Sequence, residues 1–153
     1  MASFHLISLG CAKNLVDSEV MLGSLLASGE VVVESPEQAD ILVINTCGFI
    51  QPAVEEAVEE ILTLVEVKKN SPDKKIIVTG CLVQRYREQL LSELPEVDLF
   101  VGSEGAADLA GLASKLLRGE LGYLLVFPER FLMNTATPRV ITTPPFRAWL
   151  KLL

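Results

Sequence analysis

The sequence is poor in histidine, in aromatic residues and in basic clusters, and each shortage excludes a class of function. His5 is the only histidine. A lone imidazole offers no partner for a metal site, and no Ser-His-Asp constellation is available, so His5 reads as structural. Lysine and arginine number 13 against 20 aspartates and glutamates, a formal net charge of −7. No Lys/Arg-rich block stands out. That argues against direct, sequence-independent nucleic-acid binding, which needs clustered basic groups to displace counterions. A structured RNA or a ribosome stays open as the substrate of a larger protein containing this chain. No GxGxxG or Walker pattern is present, so the usual nucleotide-binding signatures of α/β sheets are absent. No apolar run approaches the roughly 20 residues of a membrane helix. Residues 1–5 lack the charged start and apolar run of a secretory signal, and the expected compartment is the reducing cytoplasm. Three cysteines, an odd number at wide spacing, make a poor disulfide framework there. They are buried small hydrophobes, metal ligands or reactive thiols.

What the chain does have is core-forming material. Half of its 153 residues are hydrophobic, enough for one ordinary domain with an appendage. Phe4 to Leu9 reads as a short strand. Asn14, with Asp17 three residues on, is the expected cap of a helix whose apolar face runs to Gly29. Val31 to Val33 is a second strand. The run DILVINT, residues 40–46, is apolar on both faces, as a central parallel strand requires. A helix from Pro52 to about Lys69 carries Glu55, Glu56, Glu59 and Glu60 on its wet side, most simply an exposed face. Lys68 and Lys69 stand at its end, a favourable order for the helix dipole. Lys75 to Thr79 is another buried strand, and Leu82 to about Leu94 a helix stopped by Pro95, with Arg85 and Arg87 solvated on it. Asp98 to Val101 is the fifth strand, and Ser103 caps a last helix to about Arg118.

Strand and helix alternate five times, which predicts an α/β fold: a doubly wound, five-stranded parallel sheet covered on both faces, in the flavodoxin-like order 2-1-3-4-5. The domain is expected to span residues 1–118. Residues 119–145, with four prolines and no helical period, read as an extended connector. Residues 146–153 read as the start of another unit.

Cys11, Cys47 and Cys81 each fall just past the carboxyl end of a predicted strand. In an open parallel sheet that edge binds ligands. In the order 2-1-3-4-5 the three cysteine-bearing strands are immediate neighbours, about 4.8 Å apart, so three thiols scattered in sequence fall within the span of one small metal cluster. A glycine adjoins each cysteine and permits close backbone approach. Helices follow each loop, and their N-terminal N–H groups favour thiolate over thiol. Asn14, Asn45, Thr46 and Thr79 are candidate hydrogen-bond donors to cluster sulfurs. The spacing is too wide for a zinc finger or a CxxC motif. The bland alternative is packing, since cysteine is among the most buried residue types.

Around these cysteines the residues resemble a known family. Ser8-Leu9-Gly10-Cys11-Ala12-Lys13-Asn14-Leu15-Val16-Asp17-Ser18-Glu19 closely resembles the opening motif of the radical S-adenosylmethionine methylthiotransferases. Asn45-Thr46-Cys47-Gly48-Phe49-Ile50 and Thr79-Gly80-Cys81-Leu82 look like that family's second and third cysteine motifs. Lys13-Asn14, Arg85-Tyr86 and Thr142-Thr143-Pro144-Pro145 look most like the branch that modifies an aspartate in a small-subunit ribosomal protein. The resemblance implies that Cys11, Cys47 and Cys81 bind an auxiliary 4Fe–4S cluster, leaving one iron open to a sulfur species. It also implies a sulfur donor, a radical domain whose CxxxCxxC motif holds a second 4Fe–4S cluster and S-adenosylmethionine, and a substrate-binding TRAM domain. The chain reaches Leu153 without a CxxxCxxC. It is therefore expected to be an N-terminal fragment, with residues 146–153 opening the radical domain, no catalytic residue of its own and no activity alone.

Three rivals stand beside this reading: a tRNA adenosine methylthiotransferase, a non-enzymatic zinc or redox module, and a scaffold with buried cysteines. Protein purified without oxygen is expected to be coloured and to contain iron. Colourless protein with zinc would favour the metal module, and metal-free protein with slow thiol labelling the scaffold.

Overall fold

The fold was read from a computed structural model that describes residues 2–10, 12–47, 50–102, 109–119 and 125–126. β1 (Ser3–Ser8) leads into α1 (Ala12–Ala27), β2 (Val31–Val32), β3 (Ile41–Thr46) and α2 (Gln51–Asn70). β4 (Lys75–Gly80), the short helices α3 (Cys81–Tyr86) and α4 (Gln89–Glu93), β5 (Leu99–Val101), α5 (Leu109–Leu117) and β6 (Leu125–Val126) complete the order. The sheet runs β2-β1-β3-β4-β5-β6, and every pair is parallel. The first five strands follow the expected order, and β6 adds a sixth within the stretch read as connector. The rest of 119–145 and all of 146–153 lie outside the described residues.

β3 explains the architecture. All six of its residues are buried, so both faces of the sheet centre must be covered. Successive side chains alternate between faces. Leu42 and Ile44 join one apolar cluster with Ala57, Ile61 and Leu64 of α2 and Leu82 and Val83 of α3. Ile41 and Val43 join the other, with Val20, Met21 and Leu25 of α1 and Leu109 and Ala113 of α5. One strand thus seeds both cores, and the helices divide between the faces as a doubly wound fold requires. Near the amino edge, Lys68 of α2 reaches Asp98 Oδ2 at 2.7 Å, and that oxygen also accepts the Ile76 N–H at 2.8 Å. α2 is thereby stapled to the starts of β4 and β5. His5 Nδ1–H donates to the Val33 carbonyl at 3.1 Å and so works structurally, tying β1 to the segment after β2.

One helix differs from its expected form. The stretch expected to be helical from Leu82 to about Leu94 is two helices, separated at Arg87, whose φ is +47°. Leu82, Val83, Leu90 and Leu94 are all buried. An unbroken helix would bury the same residues, so the apolar period does not reveal the break. No helix among the described residues is long and apolar enough to cross a membrane.

Neighbouring positions on α2 separate burial from helix propensity. Ile61 is fully buried while Leu62 is 48% exposed. Ile61→Ala is expected to lower unfolding stability by about 2–5 kcal/mol and Leu62→Ala by about 0.5 kcal/mol or less, measured by urea unfolding.

Candidate functional site

The carboxyl edge of the sheet carries the described candidate residues. Register brings it together: Ser8 pairs with Asn45, and Thr46 pairs with Gly80. The β1–β3 ladder runs one step further, with Leu9 N–H donating to the Asn45 carbonyl at 2.9 Å. Beyond that point, Gly10 lies beside Cys47, and Cys81 opens α3 directly after Gly80, the partner of Thr46.

The glycines permit this crowding. Gly10 has φ +93°, and a Cβ placed on it would stand 2.5 Å from Cys47 Cβ and 3.2 Å from its Sγ. Gly80 has φ +103°, and its added Cβ would overlap the Thr46 carbonyl oxygen and stand 2.7 Å from Asn45 Oδ1. A side chain at either place would push the cysteine loops apart. Gly10 and Gly80 thus stand where neighbouring loops crowd the backbone, and Gly48, the third of the expected glycines, lies outside the described residues.

Cys47 and Cys81 are half-buried, and neither is joined in a disulfide. Cys47 follows β3 directly, and Cys81 is the first residue of α3. Cys11 lies outside the described residues, between Gly10 at the end of the β1 loop and Ala12 at the start of α1. Among the described residues no three His, Cys, Asp or Glu side chains gather as a metal site. The third thiol expected of the site is not in that set.

Beneath the thiols lies a buried polar layer. Asn14, Ser18, Asn45, Thr46 and Thr79 are each no more than 3% exposed. Asn14 is not a cap: α1 begins two residues earlier, at Ala12, and Asn14 sits inside the helix. Its Nδ2 donates to the Leu9 carbonyl at 2.9 Å and the Thr46 carbonyl at 2.6 Å, and its Oδ1 lies 3.9 Å from Cys81 Sγ. Asn45 Nδ2 donates to the Asn14 carbonyl and to Ser18 Oγ, both at 2.9 Å. Ser18 Oγ in turn donates to Ser8 Oγ at 2.7 Å. Thr46 Oγ1 donates to the Thr79 carbonyl at 2.6 Å, and Thr79 Oγ1 to the Gly102 carbonyl at 3.4 Å. The donors of all four named candidates therefore point at protein acceptors, lacing β1, α1, β3, β4 and the end of β5 together. No described buried side-chain nitrogen or oxygen lacks a partner. Ser18 escaped the sequence reading. Its one available signal was the i, i+4 spacing from Asn14, which puts both on one helix face.

The domain is thus a doubly wound α/β fold whose carboxyl edge carries Cys47 and Cys81 over a hydrogen-bonded polar layer. The chain belongs to the family described as uncharacterized protein family UPF0004, whose model matches residues 3–102. It is 61% identical over 149 residues to a ribosomal protein uS12 methylthiotransferase RimO from Desulfotalea psychrophila, covering 97% of this chain and 33% of that protein. A protein of the same name from Syntrophus aciditrophicus is 48% identical, with 98% of this chain and 34% of the relative covered. Another from Bdellovibrio bacteriovorus is 44% identical, with 97% and 32% covered. The family that the cysteine motifs resemble is thus the one these relatives are named for. The chain spans about a third of the length of the curated relatives it matches.

Three glycines test the close approach. Gly29 also has positive φ, but nothing lies within 4 Å of its added Cβ. Gly29→Ala is expected to cost about 1–2 kcal/mol of backbone strain. Gly10→Ala and Gly80→Ala should cost clearly more in the same urea titration. Equal losses at all three would mean that the crowding at the edge carries no energy.

Proposed function

We propose that this chain is the part of a ribosomal protein uS12 methylthiotransferase that holds an auxiliary 4Fe–4S cluster through Cys11, Cys47 and Cys81. The observation that supports the reading is the pairing of Thr46 with Gly80, the residues directly before Cys47 and Cys81, at the carboxyl edge of the sheet. The donor set fits: thiolates are the ligands iron–sulfur clusters use. The backbone fits as well, because Gly10 and Gly80 leave the edge free of side-chain bulk where the loops meet.

When bound, a cluster held by three cysteines offers one iron coordination position that the protein leaves open to a sulfur species. This chain's own residues do the rest of the local work. Gly10 and Gly80 bring the loops close. Asn45, Thr46 and Thr79 lock the strand ends, so the thiols are presented from a rigid rim. The buried layer beneath them keeps water from entering between the strands. The activity belongs to the whole protein, in the reducing cytoplasm. A radical domain with a second 4Fe–4S cluster and S-adenosylmethionine would open the C–H bond of an aspartate in the ribosomal protein. A sulfur donor would replenish the site, and a TRAM domain would bind substrate. By itself this chain supplies no catalytic residue. The relatives' names support the ribosomal-protein substrate over tRNA.

The full-length protein that contains this chain is expected to methylthiolate uS12 and leave tRNA unmodified, as read by mass spectrometry of both. Anaerobic reconstitution of the chain with ferrous iron and sulfide should give about four irons per chain, and Cys47→Ala should lose the intact cluster. A full cluster retained by that variant would remove Cys47 from the ligand set.

A further inference from the structure

One side chain of the polar layer reaches the chain just past β1, the end of β3 and the first residue of α3. The backbone ladder between β1 and β3 ends at the Leu9 N–H to Asn45 carbonyl bond. Past that bond the described residues show no strand pairing between the Cys11 and Cys47 loops, and Asn14 takes over. Its Nδ2 donates to the carbonyl of Leu9, two residues before Cys11, and to the carbonyl of Thr46, the peptide unit that joins Cys47. An amide nitrogen has two N–H donors, so both are engaged. The amide orientation is then fixed, since a flipped amide would aim Oδ1 at two carbonyl oxygens. Oδ1 must face the opposite way, where Cys81 Sγ lies at 3.9 Å. The Nδ2 atom also borders, at 3.3 Å, the space beside Gly10 that Cys47 Sγ borders at 3.2 Å. Asn14 is 1% exposed, so water does not compete for these bonds.

We infer that Asn14 is a positioning residue for the cluster: its amide nitrogen ties the chain just past β1, at Leu9, to Thr46, directly before Cys47, and its oxygen accepts from the Cys81 thiol until that thiol gives up its proton on binding metal. The inference rests on the cluster reading given above. It assigns Asn14 a role that neither a helix cap nor a packing residue has. A cap would bond the backbone of its own helix, whereas these partners lie just past β1, at the end of β3 and at the first residue of α3.

The test compares the chain with Asn14→Ala and Asn14→Asp after anaerobic reconstitution with ferrous iron and sulfide. The readouts are iron per chain, the electron paramagnetic resonance spectrum of the reduced cluster, its half-life against a chelator, and the melting point of the metal-free protein. Asn14→Asp matches the native side chain in size but has no N–H donors. Folded variants are expected to lose cluster roughly 10–100-fold faster than the native chain, with an altered spectrum, as outer partners of metal ligands typically do when removed. Asp should behave like Ala, because the donors are gone in both. A native half-life and spectrum in folded Asn14→Ala would overturn the inference. So would rescue by Asp, which would reduce Asn14 to a space-filling role. If neither variant folds, Asn14 serves the fold rather than the site, and the inference likewise fails. Failure of the native chain to take up iron would instead overturn the cluster reading, and this inference with it.

Discussion

Parallel pairing of β1, β3 and β4 sets the whole carboxyl edge. Parallel strands begin and end together, so each loop leaves the sheet on the same side as its neighbours. Register then decides which loop residues meet. Ser8 opposite Asn45 and Thr46 opposite Gly80 bring the strand ends that lead to Gly10, Cys47 and Cys81 to one edge. A shift of one residue would turn each side chain to the other face of the sheet and break that arrangement. Burial of Ile41, Leu42, Val43 and Ile44 holds β3 in the sheet centre, and the side-chain bonds of Asn45 and Thr46 to α1 and β4 select its register. The cores fix the strand, the polar bonds fix the register, and the register brings Thr46 and Gly80, the residues directly before Cys47 and Cys81, together.

The polar layer under the rim carries a different cost and benefit. A buried polar group without a partner costs about 1–3 kcal/mol, and this layer contains two asparagines, two threonines and Ser18. Each finds its partner on another element, so the layer is stable only when the strand ends and α1 sit in one arrangement. Hydrophobic contacts tolerate small slips, while paired donors and acceptors do not. A rim intended to hold several thiols at fixed separations benefits from that intolerance. The glycines act in the same direction, because at Gly10 and Gly80 even a methyl group would collide with the neighbouring loop.

Much of this was legible in the sequence for identifiable reasons. DILVINT could only be a central strand, because it is apolar on both faces. The order of strands followed from the alternation with helices, and the cysteines could be assigned to one edge because each follows a strand end. Other features left no local trace. Arg87 breaks a helix without a glycine or proline to mark it, and either form buries the same leucines. β6 is two residues long in a proline-bearing stretch, too short to show a period. Asn14 looked like a cap because asparagine before an apolar helix usually is one. Its real partners include a carbonyl 32 positions away and a thiol 67 positions away, and only the folded register reveals them.

The central claim is that three thiolates of one sheet edge hold a cluster and leave one iron without a protein thiolate. Mössbauer spectroscopy of the chain reconstituted anaerobically with isotopically enriched iron tests it directly. The account predicts one iron site that differs from the others in its ligand environment and shifts when a small exogenous thiol is added. Iron sites that are all equivalent and unmoved by added thiol would contradict it.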